Sequence, residues 1–132
     1  MISVYTDGAY SSDRNIGGWA FYIPEWNIRV GGKAANTTNN RMELMAVLQA
    51  LKFLSELNTL EPIVIYSDSM YVIGGLNLSW SKAKNSDLWS DISFILDLMI
   101  NNITFKHVKG HDSCKENCIV DSIAVKMTKL YE

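Results

Sequence analysis

Hydrophobic and polar positions change their period several times along the 132 residues, and the changes divide the chain into elements. In ISVYTDGAY, Ile2, Val4 and Thr6 alternate with Ser3, Tyr5 and Asp7, the period of two expected of a strand with one face on a core. GGWAFYIPEWNIRVGGKAA continues with two further strands joined near Pro24 to Asn27, so three antiparallel strands follow one another. From Arg41 to about Leu57 the spacing turns helical, with Leu44, Val47, Leu48, Leu51 and Leu54 on one stripe. IVIYS is a short, nearly continuous apolar run of the kind found in a strand covered on both faces. Ser69 to about Leu76 predicts a short helix, Asp87 to Ile100 a longer one, and ITFKHV a last strand. A loop, KGHD, then leads to a final helix whose start reads as a capping box, Ser113 with Glu116 three residues later.

Three strands followed by alternating helices and strands predict an α/β fold: a five-stranded mixed sheet, three antiparallel strands then two parallel, flanked by helices. With 48% hydrophobic residues and two prolines, residues 1–132 are expected to form one domain with a sizeable core. No apolar run reaches the ~18 residues of a membrane span, and Met1 leads straight into a strand pattern with no signal region. A cytoplasmic protein without membrane association, and a monomer, is the expectation. Cys114 and Cys118 lie four apart with no partnering CxxC or His pair, which argues against a zinc site or a disulfide framework. The net charge of −2 is unusual for a protein that binds a polyanion, so any such contact must come from a local basic surface or from metal ions.

The candidate chemistry lies in four acids: Asp7 at the end of the opening strand, Glu43 in TTNNRMEL, Asp68 in IVIYSDS and Asp121 in the last helix. Acids that recur where strands end and helices begin can converge on one edge of a sheet to hold divalent ions, which makes the chain a candidate magnesium-dependent nuclease. Each has a bland alternative. Asp7-Gly8 is also a hairpin-turn signal. Glu43, three residues after Asn40, could complete a capping box, and Asp68 could cap the following helix. Asp121, two turns into its helix, could simply be solvated at the boundary of an apolar face. His111 sits in a Gly-containing loop, as suits a mobile proton carrier, whereas His107 inside a strand reads as structural.

In combination, YTDG, TTNNRMEL, SDS followed by Tyr71 and Val72, DLW at Asp87 to Trp89, and VKGH followed by Asn117 and Asp121 resemble the type 1 ribonuclease H family, in order and over nearly the whole chain. The resemblance implies the ribonuclease H-like fold, metal ligation by Asp7, Glu43, Asp68 and Asp121, and a catalytic loop histidine at His111. It implies two Mg2+ ions with substrate bound, Mn2+ able to substitute, and hydrolysis of the RNA strand of an RNA/DNA hybrid to 5′-phosphate and 3′-hydroxyl ends. Gly8, Asn39, Asn40 and Asn117 match positions that touch substrate in that family. Asn117 also lies one turn before Asp121 and can share its face. Trp80 is a candidate platform against the DNA strand, and Trp89 a weaker one.

The chain departs from that family in places. Many members carry a long basic insertion where this chain has only WSKAKN, with Lys82 and Lys84. Asp13 stands where asparagine is frequent, and Met70 where many have glutamine. Weaker or retuned hybrid binding is the expected consequence, with Lys33, Lys106, Lys109, Lys126 and Lys129 the other places to look for a basic surface. The alternatives are a hybrid-binding module that does not cut, and a nuclease of the same fold with another nucleic-acid substrate. The sequence names no replication-protein partner.

Overall fold

The computed structural model describes residues 1–109 and 114–130. Strands β1 (Ile2–Ser11), β2 (Ile16–Ile23) and β3 (Ile28–Ala35) come first, a 3-10 turn at Pro24–Trp26 joining the last two. Then follow α1 (Asn39–Ser55), β4 (Ile63–Ser67), α2 (Met70–Asn77), α3 (Ser86–Leu98), β5 (Ile103–His107) and α4 (Lys115–Met127). The sheet order is β3-β2-β1-β4-β5. The first three strands pair antiparallel, and β4 and β5 join parallel, as the sequence pattern predicts.

Alternation along the strands sends successive side chains to two different helical layers. Ile2, Val4, Phe21, Ile23, Ile63 and Ile65 meet the buried α1 stripe of Leu44, Val47, Leu48, Leu51 and Leu54, with Leu88, Trp89, Ile92 and Ile95 of α3 in the same core. The opposite face is covered over β1 and β2 by α4, where Ala20 and Tyr22 pack with Val120 and Ala124. Glycines allow both layers to come close. A Cβ at Gly8 would stand 2.4 Å from the Glu43 nitrogen and 2.5 Å from the Met42 carbonyl carbon, and one at Gly18 would strike the Ala124 carbonyl. No helix among the described residues is long and apolar enough to cross a membrane.

Several local expectations are corrected. Asp7-Gly8 is not a turn: β1 runs on to Ser11, with Asp7 opposite Ala20 and Gly8 opposite Trp19. Asn40 and Glu43 form no capping box. Thr38 is the N-cap of α1 and its hydroxyl accepts from Arg41 N–H at 3.1 Å. Ser69, rather than Asp68, caps α2, accepting from Val72 N–H at 3.2 Å. The N-cap of α4 is Cys114, with no side-chain bond to the helix, and Glu116 instead accepts from the Cys114 thiol at 3.4 Å. Ser113 lies outside the described residues. His107 is exposed at the end of an edge strand, so the structural reading of it fails.

Candidate functional site

The parallel pairing of β1 with β4 ends at Thr6 and Ser67. Asp7 and Asp68 are the next residues on the two strands, so neighbouring chains deliver two carboxylates at one level of the sheet. Thr6 ties its own strand to β4 by donating its hydroxyl proton to the Tyr66 carbonyl at 2.9 Å. The Ser67 hydroxyl accepts from Ser69 N–H at 3.1 Å and shapes the turn that carries Asp68. Glu43 arrives from above, in the second turn of α1, because the missing side chain of Gly8 lets that helix rest on β1. The Gly8 N–H donates to Glu43 Oε1 at 3.0 Å and fixes the carboxylate.

One oxygen from each of Asp7, Glu43 and Asp68 lies within 4.8 Å of the others. Asp7 is 2% exposed and Glu43 6%, while Asp68 and Asp121 are half-buried. Burial is the first cause that drives the Asp7 carboxyl far above the ordinary carboxylate range, followed by the charge of Glu43 and the nearness of Asp121 and Asp68. Glu43 is raised too, by burial and by Asp68, against the lowering effect of the Gly8 N–H. Asp7 Oδ2 is buried and has no hydrogen-bond partner among the described residues. Crowded, buried carboxylates repel one another and hold protons unless a cation neutralises them. An all-oxygen donor set with an orphaned carboxylate oxygen fits a hard divalent ion such as Mg2+.

The remaining sequence candidates fall at varied distances from this cluster. Asp121 is the seventh residue of α4, and its charge acts on both Asp7 and Glu43. Asn117 is 1% exposed, and neither amide atom has a partner among the described residues, so it does not hold Asp121 by a hydrogen bond. Gly8 is buried with its amide committed to Glu43 and so does not present a free donor. Asn39 and Asn40 are exposed in the first turn of α1. Trp80 is 46% exposed, its indole seated on Gly74 of α2. Trp89 is buried and donates its indole N–H to the Tyr71 hydroxyl at 3.1 Å. His111 lies outside the described residues.

Sequence reasoning missed one network. Arg41 grips Asp87 with two nitrogens, at 3.0 and 2.7 Å, and also donates to Asn85 Oδ1 at 3.2 Å. Asn85 donates in turn to the Tyr71 hydroxyl at 3.0 Å. The guanidinium beside Asp87 lowers that carboxyl to about 2. This brace joins the starts of α1, α2 and α3, and Asn85 holds a left-handed backbone, φ 58°, to make the corner. The signal was present in NNRMEL and KNSDLW, but residues so far apart in sequence reveal a shared bond only once folded.

Comparison with known proteins places these residues in a wider group. The family model described as RNase H matches residues 1–129. A protein named ribonuclease H from Prosthecochloris aestuarii is 37% identical over 144 residues, spanning 97% of this chain and 95% of its own. One of the same name from Caldicellulosiruptor saccharolyticus is 34% identical over 144 residues, spanning 97% and 96%. A ribonuclease HI from Rickettsia prowazekii is 34% identical over 140 residues, spanning 95% and 89%.

Proposed function

We propose, from the premise that this chain belongs to the ribonuclease H family, that it is a metal-dependent endonuclease hydrolysing the RNA strand of RNA/DNA hybrids to 5′-phosphate and 3′-hydroxyl products. The observation that carries the reading is the cluster of Asp7, Glu43 and Asp68, the first two buried and the third half-buried, with ligand oxygens within 4.8 Å of one another and a buried Asp7 oxygen without a partner among the described residues. No neutral core would retain such a group, because unpaired buried charge is costly.

Asp7, Glu43, Asp68 and Asp121 would hold two Mg2+ ions when the hybrid is bound. The ions supply Lewis-acid stabilisation of the charge that develops at the attacking and leaving oxygens of an in-line displacement. The chain's own contribution is placement. Gly8 N–H sets Glu43, the β1–β4 register sets Asp7 beside Asp68, and α4 brings Asp121 close enough to act on Asp7 and Glu43. Asn39 and Asn40 present exposed amides beside Glu43, suited to groove edges and 2′-hydroxyls that report shape rather than sequence. The exposed face of Trp80 suits stacking against the DNA strand. His111 is assigned a proton-transfer or product-release role from its sequence context alone.

The test is cleavage of end-labelled RNA/DNA hybrid, double-stranded RNA and single strands, with and without Mg2+, followed by end-group analysis. Metal-dependent cutting confined to the RNA of the hybrid supports the reading. Equal cutting of all substrates, or cutting in EDTA, refutes it.

A further inference from the structure

A chain with a net charge of −2 must concentrate positive charge somewhere to hold a polyanion, and several of its twelve lysines and arginines are already engaged. Arg41 is locked to Asp87 and Asn85. Arg29 lies over the Tyr22 ring at 5.2 Å, and Lys82 lies over Trp89 at 5.4 Å. Arg14 donates to the Thr128 carbonyl and Lys33 to the Leu130 carbonyl. The β5 edge differs. From Leu98 to Lys109 the chain has no Asp or Glu but carries Lys106, His107 and Lys109. All three are exposed, and Lys115 is exposed at the first position of α4.

The sheet register sets Lys106 near the carboxylates, and α4 carries Lys115 on the helix that holds Asp121. Tyr5, Tyr66 and Lys106 form one row across β1, β4 and β5, its first two rings stacked at 4.5 Å. Asp68 is two residues beyond Tyr66, so strand spacing and rise put its Cα about 8 Å from that of Lys106. Lys115 precedes Asp121 by six residues, roughly 9 Å along α4. The same edge carries the Trp80 indole, since α2 packs on β5 with Asn77 donating to the Phe105 carbonyl at 2.9 Å. An exposed indole and exposed lysines near one sheet edge are the pairing that nucleic-acid surfaces use.

We infer that Lys106, Lys109 and Lys115 form the surface that grips the phosphate backbone of the substrate on the β5 side of the carboxylate cluster. The inference rests on the reading of the substrate as an RNA/DNA hybrid. The contacts are electrostatic and lie away from the scissile phosphate. They act equally on ground and transition states and show in KM rather than kcat.

The test compares the parent with K106Q/K109Q/K115Q and with Lys52→Gln, a remote control on α1, in Mg2+-dependent hybrid cleavage from 50 to 200 mM salt. Lys→Gln at exposed positions keeps the fold, which thermal melting checks. The triple variant is expected to raise KM at least tenfold with kcat within about twofold. It should also flatten log(kcat/KM) against log salt by about two to three, close to 0.9 for each phosphate left unneutralised. The control is expected to change neither. Hybrid binding followed by fluorescence anisotropy on an Asp7→Asn background gives the same comparison without cleavage. A lysine-dependent Kd there upholds the surface even if the parent fails to cut the hybrid, a result that would count against the functional reading alone. Unchanged KM, Kd and salt slope in the triple variant overturn the inference, as does a loss confined to kcat.

Discussion

Asp7→Asn should make the metal-free protein more stable while abolishing its activity. Asp7 is 2% exposed and surrounded by three other carboxyls, so its folded-state proton affinity lies far above the ordinary 3.8. In the unfolded chain it ionises near that ordinary value. Between the two values the folded state holds a proton that the unfolded state releases, and stability therefore falls as pH rises above about 4. Each pH unit of that interval costs ~1.4 kcal/mol, giving a ceiling of roughly 4 kcal/mol at pH 7. Asparagine has the same shape, carries no charge, and its amide can donate to Glu43 as the protonated acid does. Relaxation around the site lowers the gain to about 2–4 kcal/mol, or roughly 5–15 °C in Tm for a chain of this size. Thermal melts in EDTA at pH 4, 7 and 8.5 check it. The gap between variant and parent should be near zero at pH 4, widen with pH, and close at pH 7 when saturating Mg2+ stabilises the parent alone. A variant no more stable than the parent at pH 7, or equally stabilised at pH 4, refutes the account of Asp7 as a strained ligand.

Gly8→Ala should cost about 2–3 kcal/mol in urea unfolding and most of the activity, because the new methyl meets α1 backbone that cannot rotate away. Gly74→Ala would place its Cβ 2.1–2.5 Å from three Trp80 ring atoms. The displaced indole should shift the tryptophan emission to the red and raise KM severalfold with little change in kcat. His111→Ala should slow turnover ~100-fold without ending it, measured at saturating hybrid, since the carboxylates remain.

The sheet and its helices were legible because their patterns are local. Leu44 to Leu54 announce a buried stripe, and the Ile-Val-Ile of β4 announces a strand with both faces covered. The edges of elements were less so, since capping depends on which of several polar residues folds back first. Thr38 rather than Asn40 caps α1, which frees Glu43 to point at β1. Asp7-Gly8 carried two meanings in sequence. Pairing with β2 and the approach of α1 select the strand over the turn, a choice made by residues 35 positions away. The nearness of four acids could be read only from their joint pattern, and the Arg41–Asp87 brace could not be read at all.

The four carboxylates come from the first strand, the first helix, the turn after the fourth strand and the last helix, and under the proposed function this spacing bears on when the protein becomes active. During synthesis a partial chain holding β1 to β4 already possesses Asp7, Glu43 and Asp68, but the face of Ala20 and Tyr22 is bare until α4 docks on it. Sheet completion by parallel strands is intrinsically slow, because distant segments must meet before their contacts reward them. Asp121 is then delivered by the same event that seals the second core. Under the proposed assignment of Asp121 as a ligand, catalytic competence and seating of α4 would be one step, and a copy whose α4 has not docked would be inert toward the hybrid.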